Sequence, residues 1–325
     1  MEIVKKKTLI SVVIPVYGCY SCLEELCNRI NKVFKLKMPD TEYEVLLVND
    51  ASPDESWKKI EELAKIDKRI MGISLSRNFG QHRAITAGLD FSGGDWVVVM
   101  DCDLQDPPEE IARLYNEALM GYDIVMGRRS VRIDSFFKKV SSKLFHLIHN
   151  WLSGTKTDPD VANFCICSRK VVNAIKKIRE QSRFFPSLLQ WVGFKKTYID
   201  INHAKRREGK SSYSLRKLIS LAIEDIVAFS NKPLKMAVYF GFFVSLFSFS
   251  YAFYLVVRYI FFSFSVEGWT SVIVSIWLAT GLIIMIAGIV GIYVSRIFDE
   301  VKGRPIYIVK DTTENRTIER DLLVE

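Results

Sequence analysis

Five short apolar runs, mostly β-branched, punctuate the first part of the chain: Leu9–Val16, Glu44–Asn49, Ile70–Leu75, Trp96–Met100 and Asp123–Met126. Between them apolar positions repeat at helical spacing, so the pattern predicts strands alternating with helices. That alternation implies an α/β fold, a mostly parallel sheet covered by helices on both faces. In such a sheet ligands bind beyond the carboxyl ends of the strands. The residues to read are those just after each run: Tyr17-Gly18, Asp50-Ala51-Ser52, Ser76-Arg77-Asn78 and Asp101-Cys102-Asp103.

The pattern changes after about Asn231. Met236–Val257 and Ser271–Ser295 carry no acidic or basic side chain. Each is long enough to cross a bilayer core of roughly 30 Å as a helix. A soluble core would seldom need two such helices back to back. Upstream, Phe137, Val140, Leu144, Leu147, Ile148 and Trp151 recur at helical spacing with Lys138, Lys139, Lys143 and His146 between them. A basic amphipathic helix over residues 135–153 suits a membrane surface, and equally a core-facing position. A second such segment, Ser214–Phe229, runs straight toward Pro233 and the first span, favouring the interfacial reading for both. The expected division is an α/β domain over 1–212, a juxtamembrane amphipathic helix over 213–232, a two-helix membrane hairpin over 233–297, and a tail over 298–325 that is polar and loose after Val309.

The net charge of +8 could suggest nucleic acid, but the basic residues border the spans instead. Lys205, Arg206, Arg207, Lys210, Arg216, Lys217, Lys232 and Lys235 precede the first span; Arg296, Lys302 and Arg304 follow the second. The loop Tyr259–Thr270 has no Lys or Arg, although Arg258 stands beside it. The positive-inside rule therefore predicts a multi-pass protein of the inner (plasma) membrane, with the large domain and the tail both cytoplasmic. All six cysteines lie in that cytoplasmic part, where disulfides are rare. Cys19-x-x-Cys22 has no second Cys or His pair at ligand spacing. A dinucleotide-binding domain is excluded by the glycines: only Gly18 follows the first strand, and the chain has no G-x-x-x-x-G-K-[ST] loop.

Asp101 and Asp103 end a hydrophobic strand. Charges pressed against a buried strand end are costly unless compensated. A divalent cation compensates them, and carboxylates with open coordination positions suit Mg²⁺ or Mn²⁺ shared with substrate phosphates. Asp50 ends another strand, where its carboxylate could accept a hydrogen bond from a base N–H. The Ser52-Pro53-Asp54 that follows reads as a turn and helix cap.

Taken together, Val12-Val-Ile-Pro-Val-Tyr17, Val48-Asn-Asp-Ala-Ser-Pro-Asp54, Leu75-Ser-Arg-Asn-Phe-Gly80 and Met100-Asp-Cys-Asp-Leu-Gln-Asp-Pro-Pro-Glu109 resemble the family 2 glycosyltransferases of the GT-A fold. Arg129-x-x-Arg132, Trp191-Val-Gly-Phe194, Arg206-x-x-Gly209-x-Ser211-x-Tyr213, Phe229-Ser-x-x-Pro-Leu234 and Gly303-Arg-Pro-Ile-Tyr307 are similar to the polyisoprenyl-phosphate glycosyltransferases within it, the group containing dolichol-phosphate mannose synthase and the bactoprenol glucosyltransferases. The resemblance covers nearly the whole chain. It implies that Pro15, Val16, Tyr17, Asp50 and Arg77 meet the nucleotide-sugar, that Asp101, Asp103 and Gln105 handle metal and diphosphate, and that Arg129, Arg132 and Arg206 meet the phosphate of a polyprenyl phosphate. For each arginine, solvated surface charge is the plainer alternative.

Three positions depart from the family pattern. Gly18 and Cys19 replace its Asn-Glu, Asn49 replaces the first Asp of its Asp-Asp-x-Ser, and Asn163 replaces the Asp of its Gly-Asp-Phe, a suggested catalytic base. A phosphate monoester has a second pKa near about 6 and arrives mostly ionised at pH 7. General-base help, worth about 10² to 10⁴-fold, is demanded mainly by hydroxyl acceptors. Asn163 therefore fits a phosphate acceptor, with Asp160 a substitute base. The expected reaction moves a sugar from a nucleotide-sugar, UDP rather than GDP, to undecaprenyl phosphate. Two rivals stay open. A processive polysaccharide synthase shares the fold, but the Gln-x-x-Arg-Trp of that group is missing here. A silent nucleotide-sugar-binding scaffold is suggested by Cys19, Asn49 and Asn163. Ala287-x-x-x-Gly291 could pack spans closely and support a homo-oligomer.

Overall fold

The computed structural model describes residues 7–129, 151–152, 161–201, 226–227, 230–262 and 268–313. By contact the chain falls into two compact units, the sheet domain with the residues from Pro305 onward, and a second unit containing both long helices.

The sheet domain is built as the alternation predicts. β1 (Thr8–Val16), α1 (Leu23–Lys37), β2 (Thr41–Asn49), α2 (Ser56–Ile66), β3 (Ile70–Leu75), α3 (Gln81–Phe91) and β4 (Trp96–Val99) follow one another. A short 3₁₀ turn at Pro108–Glu110 leads into α4 (Ile111–Leu119) and β5 (Ile124–Arg129); then come β6 (Val161–Ser168), α5 (Arg169–Lys177), α6 (Phe185–Trp191) and β7 (Lys196–Ile201). A last strand, β8 (Val309–Thr312), follows the long helices. The order across the sheet is β7-β5-β6-β4-β1-β2-β3-β8. β1 runs parallel to β2 and β4, β2 to β3, and β5 to β7. β6 is antiparallel between β4 and β5, and β8 is antiparallel on the β3 edge.

Strand alternation divides the core. Ile10, Val12 and Ile14 of β1 share one apolar cluster with Leu26 and Ile30 of α1, Ile60 of α2 and Leu114 of α4. Val13 points to the other face, where α3 lies so close that a Cβ on Gly88 would come within 2.2 Å of the Val13 side chain. Glycine at 88 is thus a packing requirement.

β8 corrects the expectation of a loose tail beyond Val309 as far as Thr313, and residues 314–325 lie outside the described residues. Ser76 N–H donates to Ile308 O (2.9 Å), Thr313 N–H donates to Gly72 O (3.0 Å), and the Tyr307 hydroxyl donates to Asp90 Oδ2 (2.7 Å). Burial of that hydroxyl beside Asp90 pushes the Tyr307 phenol well above its ordinary range.

In the second unit, α7 (Lys232–Phe262) and α8 (Trp269–Val301) contain the stretches Lys232–Leu255 and Val274–Val301, each long and apolar enough to cross a membrane. Phe247, Phe253, Trp277 and Ile283 are all exposed. A helix apolar on every side yet uncovered by protein is matched to lipid. Ser230 Oγ accepts from Lys232 N–H at the start of α7, and the Tyr293 hydroxyl of α8 donates to Ser230 O (2.8 Å). Most of the two expected amphipathic helices lies outside the described residues.

Candidate active site

The carboxyl ends of β1, β2, β3 and β4 open onto four loops that are tied in a closed ring. The β1 loop is held to the β2 loop by Gly18 N–H donating to Ser52 Oγ and Tyr20 N–H donating to Asp54 Oδ2, both at 3.2 Å. The β2 loop is held to the β3 loop by Asp50, whose Oδ1 and Oδ2 accept Phe79 N–H (2.7 Å) and Gly80 N–H (2.9 Å). Gln81, the first residue of α3, then donates from Nε2 to Asp101 Oδ1 at 2.6 Å, joining the β3 loop to the β4 loop. Cys102 closes the ring back to the β1 loop through a disulfide to Cys19.

That disulfide departs from expectation for loops assigned to the cytoplasm. Parallel pairing of β1 with β4 brings the two Cα atoms to 6.4 Å although 83 residues separate them. The spacing lies within the usual reach of the bridge, toward its upper end. Cys22, Cys27, Cys165 and Cys167 are free thiols.

Asp50 is 3% exposed, and burial raises its pKa despite the two backbone donors. Its carboxylate thus organises the 79–80 backbone. Pro15 and Val16 are buried at the end of β1, and Val16 O accepts Asp50 N–H (2.9 Å), tying the end of β1 to the start of the β2 loop. Tyr17 is exposed. Arg77 is exposed too, its guanidinium stacked 4.5 Å from the Phe79 ring centre. Asn49 is buried, accepts Ser52 N–H and donates to Ser74 Oγ, which makes it the turn's holding residue. An acid there would lose the amide donor.

Asp103 Oδ1 accepts Gln105 N–H (3.1 Å), and Leu104 between them has φ +58°. Among the described residues no three or more His, Cys, Asp or Glu side chains cluster closely enough to cage a metal. Asp101 and Asp103, with the Gln105 amide beside them, are hard oxygen donors in an incomplete set. That suits Mg²⁺ or Mn²⁺, which commonly keep one or two protein carboxylates and take substrate phosphates for the rest.

Continuing the antiparallel register of Val99 with Cys165 brings half-buried Asn163 level with Asp101. Arg129 ends β5 opposite Ile201 by backbone register; its side chain lies outside the described residues, as do Asp160, Arg132 and Arg206. The structure thus gathers Tyr17, Asp50, Asp101, Asp103, Gln105 and Asn163 around one end of the sheet. Gln81 and the Cys19–Cys102 bridge are its additions. Gln81 directly follows the Arg77-Asn-Phe-Gly80 run, the one signal that could have drawn attention to it.

Residues 11–176 match Glycosyl transferase family 2. The chain is 37% identical over 314 residues to the uncharacterized glycosyltransferase YkcC of Bacillus subtilis (strain 168), covering 96% of this chain and 97% of that one. It is 36% identical over 302 residues to the SfII prophage-derived bactoprenol glucosyl transferase of Shigella flexneri, covering 93% and 97%. Among solved structures, glucosyl-3-phosphoglycerate synthase from Mycobacterium tuberculosis in complex with Mn²⁺, uridine diphosphate and phosphoglyceric acid overlays with a TM-score of 0.46 at 16% identity, covering 68% of this chain and 76% of that one.

Proposed function

The chain belongs to glycosyl transferase family 2, and on that footing we propose that it moves a sugar from a UDP-sugar to undecaprenyl phosphate at the cytoplasmic face of the inner membrane. The product is a polyprenyl-phosphate-sugar for modification of cell-envelope glycans. One observation carries this reading: likeness to a bactoprenol glucosyl transferase extends over 93% of the chain, far beyond the family domain at 11–176. Such coverage takes in sheet and long helices together, as expected if the acceptor is a lipid.

The phosphate oxygen of the lipid attacks the anomeric carbon, the bond from that carbon to the diphosphate breaks, and the configuration inverts. Tyr17 offers an exposed ring to the nucleotide, the backbone at Pro15 and Val16 lines the base pocket, and Asp50 and Arg77 bound its far side. Asp101, Asp103 and Gln105 would hold Mg²⁺ or Mn²⁺, which supplies neutralisation of charge on the departing diphosphate. Arg129, Arg132 and Arg206 match the planar, bidentate preference of guanidinium for phosphate. Asn163 orients the acceptor without taking a proton, because the phosphate arrives already ionised; Asp160 is the candidate base should a proton need to move.

Purified enzyme given labelled UDP-sugars and undecaprenyl phosphate is expected to form a chloroform-soluble monoglycosyl lipid, and Asp103→Asn to lose that activity while staying folded. Turnover retained by Asp103→Asn would refute the metal assignment. An insoluble polymer as product would point to a polysaccharide synthase instead. Donor binding with no product at all would mark a silent scaffold.

A further inference from the structure

Gln81 occupies a position that the proposed chemistry has not used. It opens α3 directly after Gly80, whose φ of +95° is a conformation that favours glycine. The peptide groups just before it are clamped by the buried Asp50 carboxylate through Phe79 N–H and Gly80 N–H. The start of the helix is therefore fixed in place from the β2 side, and the Gln81 side chain is delivered across to the β4 side. There its Nε2 sits 2.6 Å from Asp101 Oδ1. β3 and β4 are not neighbours in the sheet, being separated by β1 and β2. The contact thus spans the mouth of the site.

We propose that Gln81 is a positioning residue for the divalent cation, its amide holding Asp101 in the orientation in which the carboxylate can ligate the ion. The proposal rests on the reading of Asp101 and Asp103 as cation ligands. The residue type fits the task. A neutral amide fixes a carboxylate oxygen by hydrogen bonding and leaves its charge intact for the cation. A lysine or arginine at the same place would neutralise that charge and compete with the ion. Partners of this kind, which bond the ligand rather than the metal, typically change metal affinity by about 10–100-fold when lost. The same arrangement links the two halves of the donor site: the carboxylate that holds the loop, Asp50, stands at the nucleotide end, and the amide the loop carries acts at the diphosphate end.

The test is Mn²⁺ binding to the full-length protein, read from the electron paramagnetic resonance signal of free Mn²⁺ in the presence of UDP. Wild type is compared with Gln81→Met, which keeps the length and helix preference without the donor, and Gln81→Asn, which keeps the amide but falls short of Asp101. Asp103→Asn is the control for the cation site itself. Both Gln81 variants are expected to weaken Mn²⁺ binding roughly tenfold or more, with metal-free melting unchanged. A purely structural role would lower melting and leave Mn²⁺ affinity alone. Wild-type affinity in both Gln81 variants alongside loss in Asp103→Asn would overturn the role of Gln81 and leave the cation site standing. Wild-type affinity in Asp103→Asn as well would overturn both.

Discussion

Ala51 and Leu104 are the non-glycine residues with positive φ among those described, and each directly follows a candidate site carboxylate, Asp50 or Asp103. A left-handed non-glycine residue costs on the order of 1–3 kcal/mol and persists only where its surroundings over-determine it. Here the surroundings are named: the backbone bonds of Asp50 on one side, and the burial of Leu104 on the other. Glu109, at the end of the same run as Asp103, is fixed in turn by Arg29 of α1, which donates from Nε (2.9 Å) and Nη2 (2.5 Å). The hydrogen bond to Arg29 holds the Glu109 carboxyl below its ordinary range. A carboxyl with a depressed folded pKa contributes stability above its unfolded value, about 4.3, and that contribution is lost as pH falls through the folded value. Glu109→Gln should therefore melt about 1–3 °C below wild type near pH 6, the small effect expected of a half-exposed pair. The gap should close toward pH 3; a gap of the same size at both ends of the range would rule the ion pair out as its source. At this scale the sequence exposes the acids, because charge at the end of an apolar strand is visible in one dimension. Gln81 and Cys102 are not visible that way, since their partners lie 20 and 83 residues distant.

The first five strands are legible because they are short apolar runs, and each is found within a few residues of its expected place. β6, β7 and β8 are not. β6 carries Asn163 and Ser168 with cysteines between, and β7 reads Lys-Thr-Tyr-Ile-Asp-Ile, mostly half-buried. β8 is a polar edge strand, and nothing within Val309–Thr312 specifies it. Such strands are defined by the neighbours they pair with, β4 and β5 for β6, β5 for β7, β3 for β8. The loops above the strands show the same dependence, and their disulfide gives the element-scale prediction. Protein purified without reductant should yield a linked peptide pair containing Cys19 and Cys102 by mass spectrometry, with the remaining cysteines alkylated. Cys19→Ser should unfold about 2–4 kcal/mol less stably than the unreduced wild type, and reductant should bring wild type down to match it. Equal stability of the two without reductant would show that the bridge does not tie the loops.

Across the whole molecule the chain leaves the sheet domain, passes through α7 and α8, and returns to add β8 to the edge of β3. A strand hydrogen-bonded into a sheet must lie on the same side of a membrane as that sheet. Under the proposed membrane topology the segments between the sheet and β8 must therefore cross an even number of times, as two spanning helices would. Backbone pairing alone requires this, independently of the lysines and arginines that predict the cytoplasmic orientation. Pairing puts domain and β8 on one side; the cytoplasmic side is the one the positive-inside rule predicts. Under the proposed orientation, Gly268, at the start of α8, faces outward. In intact cells a membrane-impermeant maleimide should label Gly268→Cys, whereas Lys310→Cys in β8 should react only after the membrane is opened. Labelling of both from outside would put Gly268 and Lys310 on one side and show that α8 does not cross between them. Labelling of Lys310→Cys together with silence at Gly268→Cys would invert the orientation while keeping the shared side. A fluorescent protein fused after Glu325 that stays dark, beside one fused before Met1 that glows, would break the shared side itself and with it the pairing of β8 with β3.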